Sequence, residues 1–247
     1  MCDNASDNLP EIVLTRPEDG ARAFHVLIQD VLPKAKVTKS PLIKIKFIPI
    51  LPDLEQFNGV IFTSTNGVIA TKKKFVPPGI LCFTVGSKTA QAAKKLGFKI
   101  LCSEETSENL ISEMLSHPIK GTLVHVRGEY TRGKISSRLN KNGFDCYEII
   151  AYKQAHNPLN FQARKAFKSK RPLLIPLFSR RTAQLLLEEA LPMEKCHIVA
   201  MSEAVSEPFE QTQIANITIA KSPDIESMLE TVVKTYNLIT LLQRRNS

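Results

Sequence analysis

The sequence predicts an α/β protein of two domains, each with a parallel sheet flanked by helices, joined by a two-stranded linker. Three observations predict it. Short apolar runs alternate with amphipathic segments along the 247 residues, the series of runs recurs in the second half, and two extended stretches separate the halves.

The first strand is Ile12-Val13-Leu14, and after Thr15-Arg16-Pro17 a helix repeats Phe24, Leu27, Ile28 and Val31 at helical spacing. Lys39 to Pro52, with Pro41, Pro49 and Pro52 and alternating Ile43, Ile45 and Phe47, reads as an extended crossing. Val60-Ile61-Phe62 is a strand that runs through Thr63-Ser64-Thr65-Asn66-Gly67 into a helix with a Lys72-Lys73-Lys74 tail. The grammar repeats at Ile80 to Val85, Gly86-Ser87-Lys88-Thr89 and a helix carrying Ala90, Ala93 and Leu96 that stops at Gly97. A strand at Phe98 to Cys102, a helix bearing Leu110, Ile111, Met114 and Leu115, and strands at Thr122 to Val126 and Phe144 to Ala151 follow. Beyond Asn157 come a helix with Phe161 and Phe167, a strand from Leu173 to Phe178, and the turn Ser179-Arg180-Arg181-Thr182. The strand His197 to Met201 then ends in Ser202-Glu203, and a last helix starts at Ser222-Pro223 with Ile225, Met228, Leu229 and Val232 on one face.

The halves align. Phe62-Thr63-Ser64 matches Leu177-Phe178-Ser179, Phe83 to Gly86 matches Val199 to Ser202, and Lys99 to Cys102 matches Thr218 to Lys221. Leu14-Thr15-Arg16-Pro17 matches Val126-Arg127-Gly128, but at the wrong end of its half, which is explained if the N-terminal strand and helix belong with the C-terminal half. The expected domains are therefore 1–40 with 155–247, and 41–154, with linker strands near 41–50 and 147–154. Open α/β sheets bind ligands beyond the carboxyl ends of their strands, so two such units are expected to share a cleft.

Composition narrows the chemistry. With 43% hydrophobic and 23% charged residues the chain builds a core, and 33 Lys and Arg against 24 Asp and Glu leave a charge of +9. Nucleic acid, an anionic membrane and a polyanionic metabolite are all open as partners on charge alone. A polar, acidic start (MCDNASDNLPEIV) and the lack of a long apolar run point to a soluble cytoplasmic protein. Five cysteines (Cys2, Cys82, Cys102, Cys146, Cys196) without a Cys-x-x-Cys, and five scattered histidines (His25, His117, His125, His156, His197), suggest neither a disulfide framework nor a metal site. The segment Gly128 to Lys134 fits the start of a phosphate loop, but Ile135 stands where a hydroxyl must hold magnesium. Neither G-x-G-x-x-G nor G-x-S-x-G occurs. The basic runs Lys72 to Lys74 and Lys168 to Arg171 lack interleaved aromatics and read as solvated faces, so no nucleic-acid partner is expected.

What remains are loops that open helices, Ser64-Thr65-Asn66, Ser87-Lys88-Thr89 and Ser179-Arg180-Arg181-Thr182, with Thr15, Arg16, Arg127 and Ser202-Glu203 at other strand ends. Each hydroxyl alone reads as an N-cap; several together, beside arginines, suit a multiply charged anion.

In their order and spacing, Leu14-Thr15-Arg16-Pro17, Ile61-Phe62-Thr63-Ser64-x-Asn66-Gly67-Val68, Val85-Gly86-x-x-Thr89-Ala90, Val126-Arg127-Gly128, Ile150-Ala151-Tyr152, Phe178-Ser179 and Ala200 to Val205 resemble the uroporphyrinogen-III synthase family. The resemblance implies a lyase of heme biosynthesis that cyclises hydroxymethylbilane, an octacarboxylate, with inversion of its last ring, working without a cofactor or a metal, as a monomer. It implies that Ser64, Thr89, Tyr152 and Ser179 line the cleft and that Tyr152 is the catalytic acid; the residues themselves equally allow a hinge-packing tyrosine. Thr15, Arg16, Thr65, Asn66, Ser87, Arg127, Arg180, Ser202 and Glu203 are the further expected substrate contacts. Many family members carry paired threonines where this chain has Ala204-Val205, which moves the expected contacts there to Ser202, Glu203 or Ser206. The competing class is a two-lobed anion-binding protein without catalysis.

Overall fold

A computed structural model describes residues 9–49, 51–117, 119–130 and 133–245. Cys2, the opening polar segment 1–8, and Thr131 and Arg132 of the glycine-flanked loop lie outside the described residues.

The chain opens with β1 (Glu11–Leu14), α1 (Glu18–Val31) and β2 (Lys36–Lys39), and β3 (Ile43–Phe47) follows. Then come β4 (Gly59–Phe62), α2 (Thr65–Ala70), β5 (Leu81–Val85), α3 (Ser87–Lys95), β6 (Lys99–Glu104), α4 (Ser107–Ser116), β7 (Thr122–Gly128) and α5 (Ile135–Lys141). After the long β8 (Asp145–His156) the chain forms α6 (Phe161–Lys168), β9 (Leu173–Leu177), α7 (Arg180–Glu188), β10 (Cys196–Ala200), α8 (Glu203–Ser206), β11 (Asn216–Ile219) and α9 (Ile225–Arg245). Two compact units result, one of residues 1–44 with 156–247 and one of 45–155.

In the first unit the described strands form a parallel sheet in the order β11-β10-β9-β1-β2. Its strands β1 and β9 are buried throughout, as expected of a sheet covered on both faces. Leu173, Ile175, Ile198 and Val13 pack under α6 and α7, while Ile12, Leu14, Leu174 and Val199 pack under α1 and α9. In the second unit the order is β6-β5-β4-β7-β8-β3. Its pairs from β6 to β8 are parallel, but β3 runs against β8, since Asn157 N–H donates to Leu42 O and Ile48 N–H to Ala151 O. The segments that match in sequence hold equivalent places in the two orders: β4 with β9, β5 with β10, β6 with β11, and β7 with β1.

Several local expectations need correction. The last helix begins at Ile225, because the Asp224 carboxylate accepts the Ser227 N–H at 2.8 Å and so acts as the cap that Ser222-Pro223 was expected to supply. The second helix ends at Ala70, so Lys72 to Lys74 follow it as a turn. Of the anticipated apolar faces, Phe24, Ile28 and Phe167 are buried, but Val31 is 49%, Leu115 39% and Phe161 80% exposed, each standing at an end of its helix where packing stops. Lys36–Lys39, which the sequence pattern does not mark as a strand, is one in register with β1.

Candidate functional site

Each sheet ends at its carboxyl edge in loops that start helices, and within each unit the anticipated residues lie at that edge. In the second unit Ser64 caps α2: its Oγ accepts the Gly67 N–H at 3.3 Å. Gly67 is required at that turn, since a Cβ there would stand 2.7 Å from Val126 O of β7. The same Ser64 Oγ lies 2.7 Å from the Tyr152 hydroxyl.

Tyr152 reaches this place through an irregularity in the sheet. Arg127 of β7 is opposite Ile150 of β8, but Gly128 is opposite Tyr152, so β8 carries one extra residue there and the tyrosine is re-aimed. Its ring fills the space over Gly128, where a Cβ would come within 2.6 Å of the ring. Tyr152 is 7% exposed and packs edge-on to Phe47. Thr63, Ser64, Val85, Ser107, Gly128, Tyr130 and Tyr152 line a cavity of about 200 Å³.

Behind that cavity lies a polar cluster that the sequence did not point to as a site. His125, fully buried in β7, has Nε2 at 3.1 Å from Thr63 Oγ1 and Nδ1 at 3.5 Å from Ser136 Oγ. Burial pushes its pKa down to about 4, with Glu148 acting to raise it and Arg127 to lower it further. Glu148 stays below the usual carboxylate range: burial acts to raise it, but hydrogen bonds from Arg127 and Ser136 prevail. Strand alternation puts His125 on one face with Leu123, the signal that could have found it.

The remaining expected contacts separate into three kinds. Thr65 and Ser87 are exposed at the starts of α2 and α3, Asn66 is half-buried, and Thr89 is buried in the first turn of α3, whose entry depends on Gly86 at φ +85°. Arg127 is committed to the protein itself: Nη2 and Nε donate to Glu148 at 2.6 and 2.9 Å, and Nη1 to the carbonyls of Gly128 and Glu129. In the first unit Arg180 is likewise paired, with Glu207 at 2.9 and 3.0 Å.

Arg16 lies flat on Phe178, its Cζ 3.8 Å from the ring centroid, in space that Gly20 leaves open. Burial lowers its pKa, yet a guanidinium stays charged, and among the described residues its buried Nη1 and the buried Thr15 Oγ1 have no hydrogen-bond partner. Ser179 caps α7, accepting the Thr182 N–H at 3.2 Å with its Oγ 2.8 Å from Thr182 Oγ1. Ser202 precedes α8 without a side-chain cap bond and Glu203 is exposed. Val205 is buried, so at the site of the replaced threonines only Ala204 faces solvent. Ile135, which broke the phosphate-loop pattern, is buried in the core.

Comparison with known proteins adds to this geometry. No curated protein matches the sequence significantly. Among solved structures, the uroporphyrinogen-III synthetase of Helicobacter pylori matches with a TM-score of 0.63 at 18% identity, covering 92% of this chain and 100% of that one. A mutant uroporphyrinogen III synthase of the extremely thermophilic bacterium Thermus thermophilus gives 0.49 at 14% identity over 92% and 99%. The family model described as uroporphyrinogen-III synthase HemD matches residues 34–230. With most of its length under that model, the chain belongs to the uroporphyrinogen-III synthase family.

Proposed function

We propose that the chain closes hydroxymethylbilane to uroporphyrinogen III by expelling one water, a carbon–oxygen lyase reaction, and that Tyr152 is its acid. The hydroxymethyl oxygen leaves with a proton, and an azafulvene cation remains at that end of the chain. The substituted carbon of the last ring attacks it and forms a spiro intermediate; the bond to the neighbouring methylene breaks and re-forms on the other carbon, and loss of a proton restores the pyrrole.

The observation that carries the reading is the pair of hydroxyls at 2.7 Å, Ser64 and Tyr152, both lining one cavity at the carboxyl edge of a sheet. If Ser64 donates to the Tyr152 oxygen, the phenol proton is left for the departing hydroxyl, which is the geometry a general acid needs. In the second unit, where Arg127 is paired internally, the candidate carboxylate contacts are the first N–H groups of α3 with Ser87 and Thr89; in the first unit, where Arg180 is paired with Glu207, they are Arg16 and the first N–H groups of α7 with Ser179 and Ser202. Thr15, Thr65, Asn66 and Glu203 complete the loops. Holding a flexible tetrapyrrole in the spiro geometry supplies the larger part of the acceleration. Among the described residues no helix is long and apolar enough to cross a membrane, and a water-soluble octa-anion suits a cytoplasmic enzyme working as a monomer.

The test is to feed purified protein with fresh hydroxymethylbilane and separate the isomers. A synthase gives the type III product above the spontaneous type I ring; a non-catalytic binder leaves the ratio unchanged. Tyr152→Phe is expected to lower kcat by about a hundredfold or more, and full activity in that variant removes the tyrosine from the mechanism.

A further inference from the structure

Resting on the synthase reading, we infer that the buried imidazole of His125 fixes the Thr63 hydroxyl as a hydrogen-bond acceptor in the cavity, where it takes a pyrrole N–H of the substrate. His125 is completely buried in β7, paired in register with Ile61 of β4 and Glu148 of β8. An apolar side chain would fill such a place without the cost of burying a ring with two polar nitrogens, so the nitrogens must have work. One of them leads to the cavity: Nε2 is 3.1 Å from Thr63 Oγ1, and Thr63 lines the same space as Ser64 and Tyr152.

The direction of that bond follows from the other side of the ring. Ser136 Oγ stands 3.5 Å from Nδ1, and the Glu148 carboxylate, held by Arg127, is the register partner of His125 across β7 and β8. A neighbouring carboxylate favours a ring proton on the nitrogen that faces the Ser136 oxygen, which then accepts it. The ring proton therefore sits on Nδ1, Nε2 is bare, and Thr63 must donate to it. With its proton turned inward, Thr63 shows the cavity only lone pairs. The substrate's carboxylates have no use for such a group. Its pyrroles do, since each carries an N–H, and the N–H of the azafulvene cation is the strongest donor on the reaction path. Thr63 thus complements the carboxylate-gripping loops, and His125 is a positioning residue that acts through it.

The experiment compares wild type, Thr63→Val, His125→Leu, His125→Gln and the Thr63→Val/His125→Leu double variant by steady-state kinetics on hydroxymethylbilane. Loss of the acceptor is expected to lower kcat about tenfold in both Thr63→Val and His125→Leu, with KM within about twofold, and the double variant should be no worse than either single one. Gln, whose amide oxygen reaches the place of Nε2, should restore kcat to within about threefold of wild type. Multiplied losses in the double variant, or an unimpaired Thr63→Val, overturn the inference. Should His125→Leu not fold, the imidazole ¹⁵N shifts of wild type decide: a proton on Nδ1 supports the assignment, and one on Nε2 overturns it. A wild type that yields no type III isomer would refute the synthase reading, while the ¹⁵N result would still judge the His125–Thr63 bond.

Discussion

Arg127 and Arg16 show how differently one residue type is used at equivalent strand ends. Hydrogen bonds to Glu148 and to two carbonyls make Arg127 a brace of the β7–β8 edge, whereas Arg16 spends its face on Phe178 and keeps a buried N–H without a partner among the described residues. A guanidinium stacked on an aromatic ring is held in place without using up its donors, which suits it to a carboxylate. Also at this scale, His125 makes the fold acid-sensitive. Its pKa is about 4 when folded and near 6.5 when unfolded, so between those values only the unfolded chain takes up the proton. Stability contributed by the neutral ring is complete above pH 6.5 and is lost as pH falls toward 4, by about 3 kcal/mol in all. Urea titrations at pH 7.5 and pH 5 should show the larger part of this loss in wild type and none of it in His125→Gln.

Among the elements, two junctions stand out. The short helix α2 starts so close to β7 that Gly67→Ala must push the backbone apart, with a Cβ 2.7 Å from Val126 O. The substitution is expected to cost about 1–3 kcal/mol in thermal or urea unfolding and, by shifting Ser64 away from Tyr152, to lower kcat as well. At the other junction, within the first unit, the buried Glu189 gathers the segment that leads into α6: its carboxylate accepts from His156 at 3.0 Å, from Leu159 N–H at 3.2 Å and from Arg164. Glu189→Ala removes all three bonds; since the Arg164 side chain is 40% exposed and regains water, the loss should be about 2–3 kcal/mol, measurable as a lower urea midpoint. The extra residue in β8 before Tyr152 is a third element-scale device, and alternation alone does not reveal it.

For the whole molecule the governing quantity is a charge of +9 against an octa-anionic substrate. Long-range attraction of that kind is screened by salt, so KM for hydroxymethylbilane should rise several-fold between about 0.05 and 0.3 M ionic strength while kcat, set by enclosed groups, stays level. A salt-independent KM would mean that contact hydrogen bonds alone set the affinity.

Alternating apolar and amphipathic segments, the cap serines and the matched pairs of strand ends were legible in the sequence because they arise from local spacing: a period of two or 3.6, a hydroxyl before a helix, a glycine at a turn. The Leu14-Thr15-Arg16 pattern that repeats at β7 assigned β1 and α1 to the C-terminal half, but it did not say which strand β1 adjoins; the sheet order puts it beside β9. Partnership across strands was not legible. That Arg127 is consumed by Glu148, that His125 backs Thr63, and that Tyr152 meets Ser64 across 88 residues depends on register and on one extra residue in β8, which only the assembled sheet decides. A side chain's type and spacing state what chemistry it offers; whether that chemistry is free for a ligand or spent within the fold is set by neighbours that the chain brings together only when it folds.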